Sequence, residues 1–147
     1  MPSFSQRSRR KLATCHPRLI TLMTEVVAKH DIKILEGFRS VARQDHLFET
    51  GFSRVRGGKS PHNTKPSRAV DVVFWPFKVT DWSSEEGLER WRDTIGYIRG
   101  TCDQMQKDGR LDASFKLISG SDWDNDPSTP HSFYDFPHWE IRELAEG

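Results

Sequence analysis

The chain is poor in the features that staple, span or cradle. It has two cysteines, Cys15 and Cys102, in 147 residues, too few for a disulfide framework or a cysteine-rich metal site. Neither sits in a C-x-x-C pair, so a redox dithiol is excluded, and free, buried thiols in a reducing compartment are expected. No apolar run approaches the roughly 20 residues that a membrane-spanning helix needs. The basic start MPSFSQRSRRKLATCHPRL has no apolar stretch behind it, so no secretory leader is read there, and the chain is expected to be made and held in the cytoplasm. There is no G-x-x-x-x-G-K-[ST] or G-x-G-x-x-G loop to cradle phosphate, and no G-x-S-x-G nucleophile elbow.

Net charge is also nearly missing, at +1, but that figure hides an asymmetry. Residues 1–70 hold 14 Lys+Arg against 5 Asp+Glu (14 − 5 = +9), and residues 71–147 hold 8 against 16 (8 − 16 = −8). Two halves that attract each other within one domain is the simpler reading; a basic surface facing an anionic partner is the other. What the chain does have is aromatics: five Trp, nine Phe and two Tyr. These supply buried area enough to argue against disorder. The length is that of one domain, residues 1–147.

The pattern along the chain predicts an α+β fold, a small, mostly antiparallel sheet packed with two to three helices. Residues 1–11 read as polar, basic and loosely held. Residues 17–30 read as an amphipathic helix opened by Pro17. Ile32–Leu35 reads as a short strand, followed by a second helix from Ser40 to Thr50 that Gly51 stops. Residues 52–67 form a long loop, and Ala69–Trp75 a central, nearly all-apolar strand with Asp71 as its one charge. Ser83 and Glu86 form a capping-box signature ahead of a helix running to Gly109. Phe115–Ile118 and Phe136–Ile141 are further strands, the last placed at an edge or a bulge by Pro137.

With nucleophile elbows and phosphate loops excluded, histidine and carboxylate remain. His62 lies in the first long loop, Asp71 in the apolar strand, and His138 three residues after Asp135. Two histidines and an aspartate make a three-ligand zinc set that leaves the fourth position for water, with Asp135 close enough in sequence to take a proton. A histidine in a polar loop is more often a surface residue, and spacing alone leaves that structural reading ahead. Asp71 is harder to dismiss, because a buried carboxylate is costly unless paired or metal-bound.

The motifs taken together carry a resemblance. The stretch from Ser60 to Asp71 resembles the S-x-H…A-x-D motif of the M15 family of zinc peptidases. Glu36-Gly37-Phe38-Arg39-Ser40 followed by Gln44 looks like that family's E-G-[FY]-R-[ST]…Q segment. Asp135 to Glu140 looks like its [DE]-x-x-H-[WFV]-[ED] segment, and Gly120-Ser121-Asp122-Trp123 resembles a turn of its phage members. Four motifs fall in family order across residues 12–142.

The resemblance implies a Hedgehog/DD-peptidase-like fold, one Zn²⁺ per chain held by His62, Asp71 and His138, and Asp135 as general base. It implies Arg39 as the group that stabilises the oxyanion, and Ser60 and Gln44 as lining of the substrate groove. The implied activity is a phage endolysin cleaving the L-Ala–D-Glu bond of the peptidoglycan stem peptide. A monomer is expected, acting on the wall once the host membrane is permeabilised. Rival readings are a D-Ala-D-Ala carboxypeptidase or dipeptidase of the same family, a non-catalytic zinc or wall-binding module, and a nucleic-acid-binding protein. One departure stands out: eight residues separate His62 from Asp71 where the family has six, with Ser67 at the usual glycine, so a bulged loop is expected. Asp122, Asp124 and Asp126 alternate as in a Ca²⁺ loop, but Pro127 stands where an EF-hand has glycine, so an acidic turn is read first. His131 is the substitute ligand; His16, His30 and His46 read as surface or helix-face residues, Glu36 or Asp45 as a salt-bridge partner of Arg39, and Glu140 as the alternative base.

Overall fold

Four short strands make one antiparallel sheet, its central strands buried almost throughout. β1 (Ile32–Glu36), β2 (Ala69–Phe74), β3 (Phe115–Ser119) and β4 (His138–Glu143) are antiparallel in the order β1-β2-β4-β3. This computed structural model describes residues 2–53, 55–122 and 135–144. Ile34, Val70, Val72, Trp139 and Ile141 point to one face and are buried in the main core. Against them pack Leu19, Leu22, Met23 and Val26 of α2 (Pro17–Val27) and Ile95, Ile98, Cys102 and Met105 of α4 (Glu85–Lys107). The spacing of these apolar residues by three and four is what makes each helix one-sided.

α3 (Val41–Glu49) starts where the sequence places it, with the Ser40 hydroxyl accepting from Arg43 N. Three other expectations change. Residues 1–11 are not loosely held: Gln6–Leu12 is a helix, α1, so the described residues contain four α-helices. Phe4, Ser8 and Leu12 recur every four residues and are buried, and the Ser8 hydroxyl accepts from Ile34 N at 3.2 Å, docking α1 on β1. The N-cap of α4 is Ser84, whose hydroxyl accepts from Gly87 N at 3.0 Å. Ser83 instead closes the preceding 3-10 turn, Val79–Trp82. β4 is not an edge strand but lies between β2 and β3. It begins at His138, so Pro137 sits in the turn before it, and its carbonyl accepts from Val72 N at 2.9 Å. A residue with no N–H therefore costs the ladder nothing.

A second cluster forms around Val73, Phe74 and Trp91, with Phe77 and Phe136 against it. Trp91 stacks on Trp82 at 5.6 Å between ring centres and meets Phe136 at 5.7 Å. Cys15 and Cys102 are free and buried. Burial pushes their thiols up to about 12 and about 11, so neither is a thiolate nucleophile at neutral pH. No described helix is long and apolar enough to cross a membrane.

The cap assignment can be checked directly. Ser84→Ala should lower unfolding free energy by ~0.5–2 kcal/mol, while Ser83→Ala should change it by only a few tenths, as denaturant melts of the two variants would reveal.

Candidate metal centre

The sheet's other face carries the chemistry, and strand register places it there. β2 pairs Asp71 with His138 of β4 on one side and with Glu36 of β1 on the other. The second pairing depends on a bulge. Ile34 faces Val72, yet Glu36 and not Leu35 faces Asp71. The extra residue turns Leu35 outward and aims a carboxylate at the site, as bulges do.

His62 arrives from the long loop, on the 3-10 turn Pro61–Asn63. Ser60 caps that turn by accepting from His62 N at 3.2 Å. The turn is clipped to the β1–α3 connection: Arg39 N donates to His62 O at 2.8 Å, and the Asn63 amide donates to Arg39 O at 2.8 Å. The two extra residues before Asp71 do not part the pair. Arg68 N donates back to Pro61 O at 3.0 Å, and Ser67 is tied to Thr14 and His16 through its backbone.

The hydrogen bonds around the two imidazoles fix their protons. His62 Nδ1 lies 2.7 Å from Gly37 O, and a carbonyl only accepts, so Nδ1 carries the proton. Its Nε2, 3.2 Å from Asp71 Oδ1, is then bare in the neutral ring. His138 Nε2 lies 3.0 Å from the Glu140 carboxylate, which Arg142 Nε also contacts at 3.0 Å, so this nitrogen donates. In the neutral ring that leaves His138 Nδ1 bare, 3.4 Å from the same Asp71 oxygen. Two lone pairs and an anionic oxygen converge, all within 4.8 Å of one another. Such a set repels itself unless a cation, whether protons or a metal ion, sits among them. The outer N–H of each ring is already committed, which is how metal-binding histidines are oriented. Among the described residues this is the group of His, Cys, Asp and Glu side chains placed to share an ion.

The charges agree. Burial works to raise Asp71, but its bonds to His138 and His62 outweigh it and hold the carboxyl far below its usual range. Burial alone would lower His138; the carboxylates of Asp71 and Glu140 lift it instead to about 9. Asp135 is raised, first by burial and then by the nearby charge of Asp71.

Asp135 stands just outside β4. Its backbone N–H donates to Gly120 O at 3.2 Å and its carbonyl accepts from His138 N at 3.1 Å, forming a tight turn. Gly120 permits this approach, because a β-carbon there would collide with Asp135 O and His138 Cβ. The turn also removes the strand alternation that would set Asp135 and His138 on opposite faces.

Arg39 is held by Glu36 at 2.6 Å and by Gln44 Oε1 at 2.8 Å, and reaches Asp71 Oδ2 at 3.4 Å. The salt bridge to Glu36 is thus present, whereas Asp45 accepts from Gly57 N. Gln44 is fully buried, its amide donating to Ser53 Oγ and Val55 O, and Ser60 is buried as the cap described above. Sequence reasoning missed the orienting roles of the Gly37 carbonyl and Glu140. The signal for Glu140 was available, since two residues along a strand from His138 share its face. Among the other histidines, His16 caps α2, accepting from Arg18 N, and His30 stacks on Tyr97. Trp123, Asp124, Asp126, Pro127 and His131 lie outside the described residues, so the Ca²⁺ expectation and the substitute ligand fall there.

The architecture defines a class first: a small α+β domain with a His-Asp-His group that could hold a cation on the face of an antiparallel sheet. Comparison supplies the family. The family model described as phage L-alanyl-D-glutamate peptidase matches residues 2–142, and the chain belongs to that family. It is thus a peptidase of the peptidoglycan-degrading phage class. Among solved structures, the L-Ala D-Glu endopeptidase ChiX of Serratia marcescens shares the fold, with a TM-score of 0.65 and 23% identity. That match covers 96% of this chain and 91% of ChiX. No curated protein matches the chain in sequence.

The raised His138 gives a signed pH test on chelator-stripped protein. Its stabilising charge is fully present below the unfolded value of ~6.5 and lost as pH rises toward about 9. Melting temperature without metal should fall over that window. The increase in melting temperature produced by added Zn²⁺ should grow over the same window, because the metal must displace the proton. A flat difference between stripped and zinc-loaded melts would refute the assignment.

Proposed function

We propose that this protein is a zinc-dependent endopeptidase that hydrolyses the L-Ala–D-Glu bond of the peptidoglycan stem peptide, with His62, Asp71 and His138 holding one Zn²⁺. The observation that carries the reading is the convergence of two bare imidazole nitrogens and the Asp71 oxygen beside a half-buried Asp135. When bound, zinc supplies a Lewis acid and a water acidic enough to ionise near neutral pH.

The chain's own residues do the rest. Asp135 takes the proton of the attacking water and later returns it to the leaving D-Glu amine. Its raised pKa makes it a stronger base toward the water's proton than an ordinary aspartate. Arg39 stabilises the oxyanion, with Glu36 and Gln44 fixing the plane of its guanidinium. Gln44 and Ser60 serve the groove from beneath, Gln44 by holding Arg39 and Ser60 by capping the turn that carries His62. We take the protein to act as a monomeric phage lysin, reaching the wall after the host membrane is permeabilised.

Digestion of purified peptidoglycan tests the reaction. New N-terminal D-Glu in the fragments is the expected product, and release of D-Ala would instead identify a carboxypeptidase. His62→Ala and His138→Ala should each lower zinc content and abolish lysis; full occupancy in both would remove the ligand assignment. Asp135→Asn should keep the fold and the zinc and lose ~10²–10⁴-fold in turnover, because an amide cannot take the proton. Arg39→Lys should lower kcat on a soluble muropeptide by ~10²–10³ with KM little changed. Some loss of melting temperature is expected too, since Lys cannot bridge Glu36, Gln44 and Asp71 together. Normal kcat in the folded fraction would leave Arg39 a structural residue only.

A further inference from the structure

The charge asymmetry of the chain is concentrated beside the site and unused by the chemistry above. α1 carries Arg7, Arg9, Arg10 and Lys11, and none of them forms an ion pair among the described residues. Three cations of the acidic half differ. Arg90, Arg110 and Arg142 each meet a carboxylate at 4.0 Å or less. Some of the α1 charge is explained by the C-terminus of the helix, where cations favour the dipole. One cation would serve that purpose, and like charges packed together otherwise repel.

Arg10 and Lys11 line a cleft of about 370 Å³ together with Arg43, Thr14, Leu35, Glu36, Gly37 and Phe38. The one carboxylate in its wall is already neutralised: Glu36 accepts from Arg39 at 2.6 Å and from Arg43 at 2.8 Å. Lys65 adds a fourth cation nearby, its Nζ 4.8 Å from the centre of the Phe38 ring. The floor of the cleft is Glu36–Phe38, the segment whose Gly37 carbonyl orients His62 and whose Glu36 faces Asp71 across the ladder. An anion seated here is therefore next to the cation cluster, on the side of β1 and α1.

We propose that this cleft is an anion subsite that binds the free carboxylates of the substrate on the D-glutamyl side of the scissile bond. The inference rests on the peptidase reading above, which supplies the chemistry. A glutamyl residue within a peptide uses one carboxyl for the chain and leaves the other ionised. Arg10 and Lys11, with Lys65 nearby, present guanidinium and ammonium donors to such a group, and their fixed charge gives selection by attraction over a neutral carboxamide.

The test is equilibrium binding to the zinc-loaded protein carrying Asp135→Asn, so that turnover does not deplete the probe. A fluorescent stem peptide with free carboxylates on the D-glutamyl side is compared with the same peptide in which they are carboxamides. The acidic peptide should bind about ten-fold more tightly, the sum of a few exposed ion pairs. Adding Arg10→Glu and Lys11→Glu should close that gap while leaving the melting temperature and the affinity for the carboxamide peptide unchanged. Arg10→Ala with Lys11→Ala should narrow it. Equal affinity for the two peptides, no binding of either, or a gap that survives both double variants would overturn the proposal. Acid-selective binding by a protein whose unsubstituted form cleaves neither peptide would refute the peptidase reading and leave the subsite standing.

Discussion

The antiparallel register of β2 against β4 is the constraint on which the rest depends. It sets Asp71 opposite His138 and, by alternation, sends Val70, Val72, Trp139 and Ile141 into the core. A slip of one residue would exchange the two faces, burying the site's charges among leucines and exposing the core. The hydrophobic pattern therefore guards the chemistry: the same burial that stabilises the sheet fixes the placement of two ligand atoms. His62 is set differently, through loop hydrogen bonds rather than a ladder, and its turn is clamped by Arg39, Asn63 and Ser60.

Around that register the site is built as layers of alternating charge. Asp71 meets Arg39 on one side and the imidazoles on the other; Glu36 and Gln44 brace Arg39; Glu140 braces His138 and is itself met by Arg142. Each buried charge has a partner of opposite sign or a hydrogen-bonded neighbour, which is what makes so many ionisable groups tolerable at low exposure. In the neutral rings the inner nitrogens are bare, and they mark where the layers leave room for a cation.

Much of this was legible in the sequence. Long periodic segments gave up α2, α4 and β2, and Asp71 announced itself as a lone charge in an apolar strand. The failures have physical causes. α1 was hidden because its buried face is only Ser8 and Leu12, with Phe4 just ahead of it, set among four cations. The cap fell one residue late because Ser83 and Ser84 are adjacent and the choice is made by the 3-10 turn beneath them. Gln44 was read as lining the groove, but whether an amide faces a groove or the core depends on Ser53 and Val55 lying over it, a tertiary fact.

The position of β4 in the sheet decides when, during synthesis, the cluster can be completed. β2 and β3 are not neighbours; the strand that joins them, and that brings His138 to Asp71, is the last of the four to leave a ribosome. Domains assemble as their segments emerge. Until residues 138–143 are delivered, β2 has no partner on that side and the cation cluster lacks a member. A nascent chain carrying everything up to β3 therefore has neither a closed sheet nor the third side chain of the cluster, and one strand delivers both.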